Sequence, residues 1–546
     1  MCVSHCGSSV ATHCLSLLPV MRSRDNRAIS FLLLTVVCSW AHAVCAREIP
    51  ITILHTTDIH GHVLPSSSYD GNRRFGGLLR CASVIEGVRK DEPNVLLLDC
   101  GDLVQGAVES WPTRGMLMTK ALDALQYDGW VPGNHDLDWG VDAFKRLHDA
   151  TRVPLLAANI TGSEEAGLER VGPYVVREYE GVRVIVVGLT TPAIPLWLLP
   201  DHLAGLGTER SLDALRRIMP KIRSLHPDVL VLAMHQGCQA RGDDDANEVQ
   251  RVAQQFPEFD VILGGHQHIP VESARLNGVL FSEAGYHGGY VGRVDLAYDT
   301  VEKRVVSKQA RLIEVDERTA VSESLAFLLS NDVARATTFA EKPIGMAELP
   351  ITGACRLPGQ SPVQQLISAA MEKAVGAEVV LHGVLDEVEV PAGPLTRRQI
   401  WELVPYENEI GVLYLTLSEI RDILEENAGL AGAVHFLGVR GLSYELWPDA
   451  PEGERIRNLT LADGSKPHAR RRFRTATSSF VLASGGGRFT TFRRLALQPE
   501  SRLEMTDIDT RSAVIDYVRK HSPLRLSQGN EVRVVRGVSS AGRILP

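Results

Sequence analysis

Five short polar clusters in this chain combine carboxylates, imidazoles and an amide with glycines. They are Asp58-Ile59-His60, Gly101-Asp102, Gly133-Asn134-His135-Asp136, Met234-His235-Gln236-Gly237 and Gly264-Gly265-His266-Gln267-His268. Asp, neutral His and Asn supply oxygen and nitrogen donors, a mixed set that suits Zn, Mn, Fe or Co better than Ca. In extended chain, side chains two apart point the same way, so Asp58 with His60, and His266 with His268, are each expected to present a pair toward one site. The glycines let the backbone turn sharply or approach a ligand closely. A lone Asp or His at a strand end is usually a cap or a satisfied surface group. Five such clusters in succession point instead to a metal centre.

Such ligands need a rigid frame, and the sequence around them supplies one. Short runs rich in Val, Ile and Leu (51–54, 95–98, 130–131, 155–158, 184–187, 229–233, 261–263 and 279–281) read as buried strands. Helical stretches at 77–90, 115–125, 142–149 and 211–224 fall between several of them, the pattern of βαβ units. The polar clusters follow these strands, and open α/β sheets bind ligands where strands end. From 291 the pattern looks antiparallel. A polar amphipathic stretch at 321–339 precedes a second half with helices expected at 363–375 and 418–427 and several short strands, hence α+β.

At 546 residues the chain exceeds the roughly 250–300 residues that one hydrophobic core sustains, so at least two domains are expected. Hydrophobic residues at 44% and charged residues at 23% describe a globular protein and exclude whole-chain disorder. The net charge of -9 disfavours binding a nucleic-acid polymer by counterion release, though a small anion needs only a local positive site. Basic residues at 21–27, an apolar run at 28–40 and Ala41-His42-Ala43 read as a secretory signal, with 1–20 an extended leader or an over-long gene start. The mature protein is expected to be periplasmic or secreted, with no stable membrane anchor. Its cysteines (Cys81, Cys100, Cys238 and Cys355) form neither a Cys-x-x-Cys zinc pattern nor a dense disulfide framework.

The blocks Leu54-His55-Thr56-Thr57-Asp58-Ile59-His60-Gly61, Gly101-Asp102, Gly133-Asn134-His135-Asp136-Leu137-Asp138, His235-Gln236-Gly237 and Gly264-Gly265-His266-Gln267-His268 resemble those of the calcineurin-like metallophosphoesterases. Their order is most similar to the 5'-nucleotidase branch, which includes UDP-sugar hydrolases and cyclic-nucleotide phosphodiesterases. The resemblance implies an α/β metallophosphoesterase sandwich, mixed sheets flanked by helices, over 47–320. A linker at 321–344 and a second α+β domain for substrate binding at 345–546 would follow. It implies two divalent metal ions: Asp58, His60 and His268 on one, Asn134, His235 and His266 on the other, with Asp102 bridging. Two carboxylates would cancel half the charge of two divalent ions, leaving a positive site for phosphate. His135, held by Asp138, would face the leaving group and donate a proton; Asp136 is assigned no catalytic role.

Phosphate monoester hydrolysis, with nucleoside 5'-monophosphates foremost, is therefore expected. The alternatives are a 2',3'-cyclic-nucleotide phosphodiesterase, a UDP-sugar pyrophosphohydrolase and a non-catalytic ligand-binding protein. Two segments of the second half, His435-Phe436-Leu437-Gly438 and Gly485-Gly486-Gly487-Arg488-Phe489, look like the family's aromatic blocks. The resemblance makes Phe436 and Phe489 a base-stacking pair and Arg356 a ligand-facing cation. The chain departs from the family at His382-Gly383-Val384-Leu385-Asp386, which lacks the usual Arg, and at Gly487, where an Asp is usual.

Overall fold

The computed structural model describes residues 47–67, 74–355, 359–384, 388–433, 435–466, 468 and 470–536. The secretory signal expected within 1–46 lies outside the described residues, as do Arg356 and Asp386. Among the described residues no helix is long and apolar enough to cross a membrane.

The first half stacks two mixed sheets face to face. In space, the seven-stranded sheet runs Arg304–Glu314, Tyr290–Asp299, Glu48–Thr56, Val95–Asp99, Gly129–Trp130, Leu155–Leu156, Val171–Gly172. The six-stranded sheet runs Pro270–Leu276, Val279–Ala284, Val261–Gly264, Val229–Met234, Val182–Leu189, Tyr174–Tyr179. Both have parallel centres: Thr52 lies opposite Val95 and Leu98 opposite Gly129 in one, Val184 opposite Val229 and Val231 opposite Val261 in the other. The antiparallel ending is present too, with Glu48 opposite Asp299.

The two-residue period of a strand explains why these runs are apolar throughout: alternate side chains enter different cores. Ile51, Ile53, Leu96, Leu98, Val184, Val186, Val229 and Val231 fill the space between the sheets. Leu54 and Leu97 turn outward to the helices Leu78–Asp91, Met116–Ala124 and Gly140–Ala150. Ile185, Val187, Leu230 and Leu232 turn outward to Ser211–Ser224 and Val249–Gln255. In Ser211–Ser224 the buried Leu215, Ile218, Met219 and Ile222 recur at helical spacing, which puts them on one face.

The helix Glu323–Ala340 joins the halves. The Ser322 side chain caps it by accepting from the Leu325 amide; Leu325 and Leu329 enter the first core and Ala340 the second. Beyond it, a five-stranded sheet (Gly438–Arg440, Val379–His382, Arg472–Ser478, Glu409–Thr416, Glu504–Asp509) has the helices Pro362–Val375 and Thr510–His521 in the core on one side and Leu417–Ala428 in the core on the other. Ser361 caps Pro362–Val375 by accepting from the Gln364 amide.

Truncating a side chain between the two sheets should cost far more than truncating one on an outer strand. Ile53→Ala should lower stability by about 2–5 kcal/mol, whereas Val306→Ala, on the exposed part of Arg304–Glu314, should stay within about 0.5 kcal/mol. Denaturant titration followed by circular dichroism reads both, and equal losses would contradict the two-sheet core.

Candidate metal centre

All five clusters follow strands of the parallel centres. Asp58 and His60 follow Glu48–Thr56, Asp102 follows Val95–Asp99, Asn134 follows Gly129–Trp130, His235 follows Val229–Met234, and His266 and His268 follow Val261–Gly264. The backbone there is not extended. Asp58, His60, Asp102, His266 and His268 have φ of 50°, 49°, 52°, 76° and 58°, the left-handed region that few residues other than glycine adopt. Expecting partners from extended geometry therefore needs correction: the left-handed turns keep Asp58 with His60 but send His266 and His268 to different groups. Donor atoms of Asp58, His60, Asp102 and His268 lie within 4.8 Å of one another, and so do those of Asp102, His235 and His266. Asp102 is common to both.

Hydrogen bonds from behind aim the donors. His60 and His235 each place Nδ1 2.8 Å from a backbone carbonyl, that of Gln105 and of Cys100. A carbonyl only accepts, so Nδ1 carries the hydrogen and the Nε2 lone pair faces the site. Asp58 Oδ2 accepts from Thr57 Oγ1 at 2.5 Å and from the His266 amide at 2.9 Å, which leaves Oδ1 toward the centre. Asp102 Oδ1 accepts from the His135 amide at 2.7 Å, while Oδ2 stands 3.2 Å from His235 Nε2 and 3.8 Å from His60 Nε2. His60 and His268 bring their Nε2 atoms to 3.0 Å, and Asp58 Oδ1 is 3.1 Å from His268 Nε2.

These contacts test the fit of a metal directly. Asp58 Oδ1, Asn134 Oδ1 and His235 Nε2 are buried with no hydrogen-bond partner among the described residues, a costly arrangement unless something positive accepts their lone pairs. Two divalent ions fit that demand. Electrostatics agrees: burial holds His60 near 4 and His266 near 3, so both imidazoles are neutral donors, as metal ligation would require. Burial also pulls His235 down, but the Asp102 carboxylate outweighs it and lifts the imidazole to about 10. The charge that Asp102 favours at that point is a cation's.

The frame depends on close backbone approach at Gly133, where an added Cβ would stand 2.1 Å from Asp102 Oδ1. It also depends on Asp136, a role that the sequence reading missed. The buried Asp136 carboxylate accepts from the amides of Asp102, Leu103, Val104 and Gly133 at 3.1, 2.9, 3.0 and 2.8 Å, tying together the two loops that carry Asp102 and Asn134. Its position next to His135 was the signal available in the sequence.

His135 lies beside the ligands. Its Nδ1 is 2.8 Å from Asp138 Oδ2. Burial depresses this imidazole, but Asp138 and Asp102 outweigh burial and lift it to about 9.

The second half meets the site with residues that the sequence reading did not select. Tyr406 stacks on His135, with centroids 4.5 Å apart and planes 16° apart. Trp197, from the first half, lies 5.0 Å from His266, and its loop docks on the glycine-rich turn: Ser484 Oγ donates to the Leu196 carbonyl at 2.9 Å, and the Gly486 amide donates to the same carbonyl at 3.1 Å. Phe436 and Phe489 are 2% and 1% exposed and sit in the same apolar cluster. The expected base-stacking pair is therefore corrected: both rings fill the core of the second half and neither offers a face to a ligand. Phe489→Ala should accordingly act as a core truncation, costing about 3–5 kcal/mol in denaturant titration, rather than as a change in KM alone at intact stability.

Residues 51–270 match the family model of the calcineurin-like phosphoesterases, and residues 343–494 match that of the 5'-nucleotidase, C-terminal domain. The Trifunctional nucleotide phosphoesterase protein YfkN of Bacillus subtilis is 23% identical over 88% of this chain and 38% of its own length, so this chain spans about two-fifths of that relative. Protein UshA of Escherichia coli is 25% identical over 92% of this chain and 97% of its own. Among solved structures, the 5'-nucleotidase precursor from Thermus thermophilus has a TM-score of 0.70 at 21% identity, covering 89% of this chain and 99% of that one; the likeness is one of fold.

The two carboxylates should separate by readout. Asp102→Asn should lower bound metal, measured by atomic emission on protein purified without chelators, and lower turnover with it. Asp136→Asn turns an NH2 toward backbone donors and should destabilise the metal-free protein by about 1–3 kcal/mol. Full metal content in the first variant, or an unchanged melting midpoint in the second, would contradict the role given to that residue.

Proposed function

We propose that this chain, which joins a calcineurin-like phosphoesterase domain to a 5'-nucleotidase C-terminal domain, is an exported dimetal hydrolase of phosphate monoesters, with nucleoside 5'-monophosphates as its main substrates. One observation carries the reading: Asp102 Oδ2 stands between His60 and His235 while Asp58 Oδ1, Asn134 Oδ1 and His235 Nε2 turn unpartnered lone pairs inward. Asp58, His60, Asp102 and His268 would hold one ion, and Asp102, Asn134, His235 and His266 the other. Bound there, divalent ions supply Lewis acidity toward a phosphoryl oxygen and acidify a water near neutral pH.

The protein's own groups account for the rest. Asp138 fixes the His135 ring through Nδ1, which leaves Nε2 to hold a proton for the departing alkoxide. The Asp138 and Asp102 carboxylates outweigh burial and favour the protonated His135 imidazole, the direction a general acid needs. We read residues 47–320 as the catalytic part and 345–546 as the part that meets the substrate. The name of the relative YfkN, a nucleotide phosphoesterase, supports nucleotides as the substrate class. Export rests on the basic, apolar and Ala-x-Ala pattern at 21–43. Phosphate release from a panel of nucleoside monophosphates, sugar phosphates and an aryl phosphate, after loading with Mn, Co, Zn and Mg in turn, tests the reading; no release from any of them would end it.

His135→Asn should lower turnover by roughly 10²- to 10⁴-fold on an alkyl phosphate, with metal content unchanged. The loss should shrink for 4-nitrophenyl phosphate, whose leaving group needs little protonation. An equal loss on both substrates would show that His135 binds phosphate instead of donating a proton.

A further inference from the structure

Residues 405–408 run between the helix Arg397–Leu403 and the strand Glu409–Thr416 of the second half, and they reach into the first. Behind this segment lies Arg511, fully buried, whose Nε donates to the Val404 carbonyl at 3.0 Å and whose Nη2 donates to the Pro405 carbonyl at 2.8 Å. Its guanidinium also lies 4.1 Å from the Trp401 ring centre. At the tip, the Glu407 carboxylate enters a pocket of the first half. Oε1 accepts from Trp111 Nε1 at 3.0 Å and from Arg114 Nη1 at 2.6 Å, and Oε2 accepts from Trp139 Nε1 at 2.8 Å. A buried carboxylate with three donors is a rigid anchor, because each donor left unpaired would carry its own desolvation cost.

The anchor point matters. Trp139 directly follows Asp138, the residue that holds His135, so Glu407 grips the same short segment that carries the acid and its orienting carboxylate. With Glu407 seated, the neighbouring Tyr406 ring lies flat on the His135 imidazole at 4.5 Å and 16°, with its centre 6.4 Å from that of His60. A single hydrogen bond at Nδ1 leaves an imidazole free to swing about that bond. A ring stacked on its face removes that freedom and keeps water from that side.

We propose that Tyr406 is a positioning residue of the catalytic centre: supplied by the second half and set in place by Glu407, its ring face holds the His135 imidazole in the plane from which it reaches the leaving group. The second half then contributes to proton transfer as well as to binding, and the acid is fully formed only while the two halves are docked. This inference rests on the reading of His135 as the acid.

The test uses the full chain loaded with Mn or Co, an alkyl phosphate and 4-nitrophenyl phosphate, and the variants Tyr406→Phe, Tyr406→Ala, Glu407→Gln and Tyr406→Ala combined with His135→Asn. Tyr406→Phe keeps the ring and should stay within about 2-fold of the parent. Tyr406→Ala should lower kcat on the alkyl phosphate by about 5- to 10-fold, the scale of one aromatic contact, with KM little changed and a smaller loss on the aryl ester. Glu407→Gln should shift both substrates in the same direction by less. In the His135→Asn background, Tyr406→Ala should add nothing. A readout independent of turnover is the upfield ring-current shift of the His135 ring protons in the metal-free protein labelled at histidine: it should be kept in Tyr406→Phe and lost in Tyr406→Ala.

Additive loss in the double variant, equal loss on both esters with a raised KM, or a Tyr406→Phe variant as impaired as Tyr406→Ala would each overturn the positioning role while leaving His135 as the acid. A His135→Asn variant without leaving-group dependence would overturn the acid assignment and this inference together.

Discussion

Lone pairs that converge on one buried point repel one another, and the first half of this protein is organised around holding such a set together. Asp58 Oδ1, Asn134 Oδ1 and His235 Nε2 face inward without partners, and the carboxylate common to both groups, Asp102, is buried among imidazoles. No ordinary packing term favours this arrangement; a bound cation does. The surrounding structure resists the tendency to relax. Strands buried on both faces fix where each loop begins, left-handed residues aim the side chains, and backbone carbonyls lock the imidazole tautomers. Asp136 ties two of the loops together through four amides. Residues held at positive φ store about 1–3 kcal/mol each, strain that persists only when the surroundings over-determine it. The two-sheet core is what over-determines it here.

Two of the polar joints between the second half and this frame flank the site. At one, Glu407 sits among Trp111, Arg114 and Trp139. At the other, the turn containing Ser484 and Gly486 bonds the backbone of the Trp197 loop. Each joint ends next to a residue of the candidate centre, His135 through Tyr406 and His266 through Trp197. One flanking ring, Tyr406, belongs to the second half, and the other, Trp197, belongs to a loop of the first half that the second half contacts.

The departures of the second half from the family pattern take on a physical meaning in this setting. Gly487 replaces an acidic residue at a turn whose neighbours Ser484 and Gly486 contact the first half, and Phe489 behind that turn is part of the core. That turn serves as a contact between the two halves and is backed by a buried ring. Aromatic rings beside the candidate donors come instead from Tyr406 and Trp197.

Much of this was legible in the chain before folding was considered. Runs of Val, Ile and Leu specify strands because a strand with both faces covered must be apolar at every position, and Leu215, Ile218, Met219 and Ile222 specify a helix by spacing alone. Donor chemistry is equally local: Asp, His and Asn beside glycines at strand ends point to a candidate metal centre whatever surrounds them. Which donors share an ion is not local, because it depends on turns that reverse direction within two residues and on contacts such as that between His60 and His268, 208 positions apart. The same limit explains why Asp136 read as a bystander, why Phe436 and Phe489 read as a binding surface, and why Tyr406 and Trp197 went unnoticed. Residue type and spacing encode what a side chain can do; whether it faces a ligand, a backbone amide or the core is decided when distant segments pack, because burial and partnership are properties of the assembled fold.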